Sequence, residues 1–287
     1  MVIKEYEDAQ AYLKENESIL LKNEAVSQLI LYNAYQNLEV AKSDKCIFGV
    51  VIDEERPLLH FCNVAPKKMA IYTQDIAKES IGPAANLLAD YMVSNHIIFS
   101  GLIAKQEVCQ AYIEKYQKSV DCTFLETLEM DIMEIRNVND IKPVEGTHRL
   151  AVIDEVKMIT DWMIDFQIEA LASEINYETA LNRATRLIVE NKVYVYEDTD
   201  KRPVTMAVVS RQLVHGVAFN YVYTPEEFRG KGYAVANIYY MTKEYLTQGN
   251  EFCTLFVDSK NPISCRAYEK VGYQALENNY EYTLIPA

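Results

Sequence analysis

A tripeptide at residue 71 returns at residue 222. Ile71-Tyr-Thr73 is matched by Val222-Tyr-Thr224, and twelve positions after each threonine comes Ala-Asn, at Ala85-Asn86 and Ala236-Asn237. Further on, Cys109-Gln-Ala-Tyr112 faces Cys265-Arg-Ala-Tyr268. Self-similarity at a near-constant offset, with a few residues inserted before the last match, constrains a fold more than any single motif, because each copy must adopt the same arrangement of elements. The repeat predicts two related halves, 1–137 and 145–287. They are joined by Asn137-Val-Asn-Asp-Ile-Lys-Pro-Val-Glu-Gly146, which has turn residues and no periodicity.

Apolar spacing predicts helices over 5–38, 82–95, 107–119, 154–172, 177–190, 232–248 and 263–271. Strand-like runs occupy 46–52, 58–64, 68–73, 97–103, 128–135, 193–197, 204–213, 217–224, 252–257 and 280–285. The order strand, strand, helix, strand, helix, strand recurs in both halves. The expected class is therefore mixed α/β, with tandem domains.

Composition narrows the function classes. A formal net charge of -14 argues against non-specific nucleic-acid binding, which draws its affinity from Lys and Arg on phosphates. It is compatible with a cationic partner, although diffuse negative charge also serves solubility alone. No apolar run reaches membrane-spanning length. The N-terminal MVIKEYEDAQAYLKE is polar and mixed in charge, unlike a secretory signal. The six cysteines form no Cys-x-x-Cys pair and there are only four histidines, so neither a metal site nor a disulfide framework is expected. Reduced thiols in a cytoplasm fit this pattern.

The strand-like run ending at Thr224 is followed by Pro-Glu-Glu-Phe, then Arg229-Gly230-Lys231-Gly232-Tyr233-Ala234, then a helix. A helix N-terminus presents unpaired N–H groups and the positive end of the helix dipole. Glycines there let the backbone approach an anion in dihedrals closed to other residues. The nucleoside-triphosphate loop Gly-x4-Gly-Lys-Ser/Thr does not fit, and the dinucleotide pattern Gly-x-Gly-x-x-Gly fails at Val235. The pattern Arg/Gln-x-x-Gly-x-Gly/Ala fits throughout. In the first half the same place reads Lys78-Glu-Ser-Ile-Gly-Pro83, without the glycine pair and with a proline that removes a donor.

A second constellation follows the run 252–257. Asn261, Ser264, Tyr268, Gly272 and Tyr273 stand in the spacing Asn-x-x-Ser-x-x-x-Tyr-x-x-x-Gly-Phe/Tyr. Asn261 with Pro262 is a good helix start, Ser264 and Tyr268 share a face, and Gly272 suits a helix end. Loop and helix motif together resemble the GNAT superfamily of acetyl-CoA-dependent N-acetyltransferases, over about 145–287. The first half resembles a degenerate copy.

That resemblance implies direct transfer of an acetyl group from acetyl-CoA to an amine. The pantetheine arm would lie extended against Val222 and Thr224, like an added strand. The pyrophosphate would sit on the amides of Arg229, Gly230, Lys231, Gly232, Tyr233 and Ala234, with Asn261 and Ser264 also on the cofactor. Backbone N–H near Tyr221 or Val222 would polarise the carbonyl and hold the oxyanion. Tyr268 would protonate the departing thiolate. The general base is not legible: the strand before the loop carries no carboxylate, and His215 stands at its start. Trp162, Asp165 and Glu169 lie on the helix that usually walls the acceptor site, although a solvated face explains the two carboxylates equally. The acceptor is a small-molecule or protein amine, which the sequence leaves open along with oligomeric state. An acetyl-CoA-binding sensor of weak activity is the alternative, favoured by the missing base.

Overall fold

The computed structural model describes residues 1–40, 46–74, 76–171 and 173–287, so the last residue of the helix expected over 154–172 lies outside the described residues. The chain divides into two compact units, one of Met1–Met130 with Glu277–Ala287 and one of Asp131–Leu276. The contiguous halves 1–137 and 145–287 do not coincide with these units. Residues 277–287 group with the first and 131–144 with the second. The reason is a pairing between strands distant in sequence. The run 280–285 is apolar and β-branched enough to read as a strand, but nothing in it specifies its neighbour.

In the first unit, β1 (Val2–Glu5) leads into α1 (Ala9–Leu20) and α2 (Glu24–Gln36). These two helices replace the single span expected over 5–38, because a short turn at Leu21–Asn23 interrupts it. Then come β2 (Cys46–Asp53), β3 (Arg56–Val64), β4 (Met69–Thr73), α3 (Lys78–Ser94), β5 (Gly101–Ala104), α4 (Gln106–Tyr116) and β6 (Cys122–Ile135). The sheet order is β1-β2-β3-β4-β5, then the chain's last strand, β12 (Gln274–Pro286), then β6. β12 runs antiparallel to β5, from Tyr280 opposite Ala104 to Thr283 opposite Gly101. Alternation along the strands sends Phe61, Met69, Ile71 and Leu102 into a core with α3 and α4. On α1, the Tyr12 ring lies tilted against Phe48, centroids 5.4 Å apart, and its hydroxyl bonds His60 Nδ1.

The second unit repeats the order. β7 (Thr147–Leu150) is followed by α5 (Val156–Leu171) and α6 (Tyr177–Val189). Next are β8 (Val193–Glu197), β9 (Pro203–Gln212), β10 (Gly216–Tyr223), α7 (Tyr233–Thr247), β11 (Phe252–Asp258) and α8 (Pro262–Val271). Strand order here is β6-β11-β10-β9-β8-β7. Successive residues face opposite sides of this sheet. Val193, Val195, Met206 and Val208 pack with Trp162 and Met163 of α5 and Ala184 and Leu187 of α6. Tyr194, Ala207, Val209, Val217 and Phe219 pack with Ile238 and Met241 of α7 and Val271 at the end of α8. Burying such side chains at about 25 cal/mol per Å² on each face holds the sheet between its helix pairs. No helix among the described residues is long and apolar enough to cross a membrane.

Candidate active site

β10 and β11 are neighbours and parallel, but only in part. Their register runs from Gly216 opposite Phe252 to Phe219 opposite Leu255. Both strands continue beyond it, to Tyr223 and Asp258. The two therefore separate toward their C-terminal ends, and a gap between parallel strands is where α/β sheets accept ligands. The cause lies in β10. Its antiparallel pairing with β9 shifts between Asn220 and Tyr223, skipping Tyr221 and Val222. Tyr221 has φ 48°, a left-handed conformation rare for a bulky residue. Such strain concentrates at working sites, because surrounding structure must hold it.

Beyond β10, Thr224 donates its hydroxyl to Thr205 Oγ1 at 2.8 Å, and Thr205 donates to the Tyr223 carbonyl at 2.7 Å. The chain then makes one tight turn at Glu226–Phe228 and enters the glycine loop. Gly230 has φ 76° and Gly232 φ 86°. A Cβ built at either would meet nothing within 4 Å, so these glycines are required by backbone conformation and not by crowding. Gly232 is the N-cap of α7 and has no side chain to cap with, which leaves the first N–H groups of the helix open. α7 is held in place one turn further on. The Asn237 carboxamide meets His148 Nδ1 at 2.7 Å and donates to the Tyr194 carbonyl at 3.4 Å, fastening the helix to β7 and β8.

The two cations of the loop are engaged locally. Lys231 Nζ donates to the Glu227 carbonyl at 2.9 Å and lies over the Phe228 ring. Arg229 Nε donates to the Thr224 carbonyl at 2.8 Å, its guanidinium covers the Tyr223 ring, and Nη2 pairs with Glu169 of α5. Tyr223 donates to the other Glu169 oxygen at 2.9 Å. Glu169 is thus a partner of the loop. Asp165, one helical turn before it, is exposed, and its carboxyl is pushed up by partial burial and by the like charges of Glu169 and Asp161. Trp162 is 8% exposed and packs in the core beneath, with Tyr221 and Tyr223.

On the facing side, Asn261 caps α8. Its Oδ1 accepts from Ser264 N–H at 3.1 Å, Pro262 takes the first helical position, and Gly272 ends the helix at φ 123°. The capping oxygen is occupied, while the amide Nδ2 is left to donate elsewhere. Ser264 is half-buried on the first turn. Tyr268 is half-buried too, its ring edge-on to Tyr273 at 6.0 Å, and its hydroxyl bonds to no described residue. Burial and the neighbouring Cys265 push its phenol well above the ordinary value, which makes it a weaker acid than a free tyrosine. Tyr112, the first unit's counterpart, is fully buried among Phe99, Tyr116 and Phe124, with an unpartnered hydroxyl.

The loop residues and Val222–Thr224 adjoin along the chain, with Glu169 reached across space. The structure adds groups that sequence spacing left silent. Gln167 Nε2 donates to the Tyr221 hydroxyl at 2.8 Å, and Arg183 of α6 donates to the same oxygen. No motif marks Arg183; only folding α6 against β10 makes it visible.

Residues 205–282 match the model of a family described as FR47-like protein. No curated protein matches the chain in sequence. Among solved structures, it is similar to a GNAT-family acetyltransferase from Colwellia psychrerythraea. That match has 10% identity, covers 99% of this chain and 99% of the other, and has a TM-score of 0.59. A GCN5-related N-acetyltransferase from Sphaerobacter thermophilus matches at 12% identity over 99% and 96% of the two chains, with TM-score 0.57. One from Kribbella flavida matches at 13% over 80% and 87%, with TM-score 0.50. The mixed α/β fold is that of the GNAT acetyltransferases.

Proposed function

We propose that this GNAT-fold chain is an N-acetyltransferase that moves an acetyl group from acetyl-CoA to a primary amine, with its active site in the second unit. The observation that carries this reading is the open N-terminus of α7. Two positive-φ glycines precede it, directly after the point where β10 leaves β11. An uncapped helix start with bare backbone fits a pyrophosphate, and the open space beside Gly230 and Gly232 leaves that backbone accessible. Acetyl-CoA, when bound, supplies the activated acyl group. Residues 229–234 would hold its pyrophosphate, and Val222 and Thr224 its extended arm. The Asn261 amide nitrogen has a hydrogen bond left to give.

The chain's own groups then act by position. The backbone at Tyr221 and Val222, turned out of the β9 register, is the best-placed donor for an acyl oxygen. Tyr268, protonated at neutral pH as any phenol of ordinary or raised pKa is, donates its phenolic proton to the leaving sulfur. Positioning both reactants supplies several kcal/mol more, up to about 7–11 in well-oriented cases. The first unit is a degenerate copy: α3 begins with Lys78-Glu-Ser, carries Pro83 inside, and Tyr112 serves packing. The protein is expected to act in a cytoplasm.

The test is acetyl-CoA-dependent thiol release across a panel of amines. Release that requires both amine and intact Tyr268 supports the enzyme. Tight acetyl-CoA binding with no release for any amine favours the sensor reading instead.

A further inference from the structure

Charges on the acceptor side of the second unit are arranged unevenly. Asp161, Asp165 and Glu169 stand at four-residue steps along α5, all exposed. Glu169 is neutralised by Arg229, whereas Asp165 makes no ion pair among the described residues. Arg183 stands apart from this row. It is half-buried, makes no ion pair among the described residues, and its guanidinium meets only the neutral Tyr221 hydroxyl. Gln167 donates to that same oxygen. One phenol oxygen therefore receives two donors, and Arg183 keeps most of its fork unused.

Arg183 is half-buried without a counter-ion among the described residues, although a chain carrying net charge -14 has many carboxylates with which to pair it. Exposed arginines such as Arg186 and Arg266 need none, because water solvates them. Arg183 differs by burial and by place. Its partner Tyr221 is the strained residue at the bend of β10, where the acyl group is read to sit. Tyr221 and Tyr223 lie two residues apart and pack in one cluster with Trp162. The first leads to Arg183 and the second to Glu169, one helical turn after Asp165 on α5.

We propose that the acceptor is a free amino acid: its carboxylate is held by Arg183 and Gln167 beside the Tyr221 hydroxyl, and its ammonium faces Asp165. This rests on the acetyltransferase reading and names its substrate class. A guanidinium fork suits a planar carboxylate. The adjacent acidic row disfavours a more highly charged phosphate. A surface lysine of a protein, lacking a carboxylate beside its amine, would leave Arg183 unpaired.

Trp162 is the only tryptophan and packs in the same cluster as Tyr221, so its emission reports on the surroundings of Tyr221 without turnover. The probes are proteinogenic α-amino acids and their N-acetyl derivatives, each titrated beside its own carboxamide. Unmodified protein and Arg183→Met are followed by Trp162 fluorescence, with acetyl-CoA binding measured separately by thermal shift. The expected result is saturable binding of at least one carboxylate, tenfold or more tighter than its amide, with that preference lost in Arg183→Met. Equal affinity for acid and amide in the unmodified protein would overturn the proposal, as would no saturable change with any probe, even if Arg183→Met does not fold. An acetyl-CoA shift with no amino-acid preference defeats the substrate class alone. Absence of the acetyl-CoA shift defeats the acetyltransferase reading.

Discussion

Asn261 offers a case in which two roles fall on different atoms of one side chain. Its Oδ1 caps α8 through Ser264 N–H at 3.1 Å, while Nδ2 is the atom read to hold the cofactor arm. Removing both atoms with Asn261→Ala loses a cap worth about 1 kcal/mol. At roughly 2–4 °C per kcal/mol for a domain of this size, the melting temperature should fall by that amount. Asn261→Asp keeps an excellent cap and adds negative charge beside the helix's positive end, so its melting temperature should not fall. It removes the amide donor, however, and one hydrogen bond of about 0.5–1.5 kcal/mol corresponds to a roughly 2- to 12-fold weaker acetyl-CoA complex. Thermal denaturation gives the first quantity and isothermal titration with acetyl-CoA the second. The two variants should therefore separate, Ala losing stability and affinity, Asp affinity alone. Unchanged affinity in Asn261→Asp would refute the cofactor role and leave Asn261 as a cap only.

Tyr268→Phe should leave melting within about 0.5 kcal/mol, since the hydroxyl has no partner among the described residues, and should lower kcat by about 10²-fold or more without altering the KM for acetyl-CoA; thermal denaturation and steady-state thiol release check the two. Glu169→Gln dissolves a half-exposed ion pair worth no more than about 1 kcal/mol of stability. It frees Arg229 for an anion, so acetyl-CoA should bind more tightly by titration, and weaker binding would mean the pair itself builds the loop. Burial holds the His60 imidazole down at about 4, from the ordinary 6.5. Above pH 6.5 neither state is protonated there; below it the unfolded chain takes a proton that the folded chain refuses until about pH 4. His60 thus contributes stability in full above about pH 6.5, and up to about 3 kcal/mol of it is lost on acidification to pH 4. Denaturant unfolding across that window should show the fall, and His60→Gln should flatten it.

The local parts of the site were legible because local chemistry dictates them. Asn261-Pro262 and Gly272 start and end α8 by capping rules that need only a few residues. Gly230 and Gly232 declare positive φ because other residues resist it. What the sequence withheld is long-range. That Arg229 turns back onto Glu169, sixty residues earlier, depends on α5 lying against β10. That residues 277–287 complete the first unit depends on β12 pairing with β5. Arg183 sits in an amphipathic helix like any surface arginine until α6 is folded. β1 and β7, four residues each, are too short for alternation to announce them.

The most direct test of the account is the thermal shift produced by acetyl-CoA in the unmodified protein and in Gly232→Glu. The glutamate has room, but its left-handed backbone costs about 1–2 kcal/mol, so each protein is compared with its own unliganded melting temperature. Ligand at a hundredfold its dissociation constant should add about 2.7 kcal/mol, a rise of several degrees. The account predicts that rise in the unmodified chain and its loss when a carboxylate occupies the seat at the start of α7. No rise at saturating acetyl-CoA with folded protein, or an equal rise in both, would contradict it.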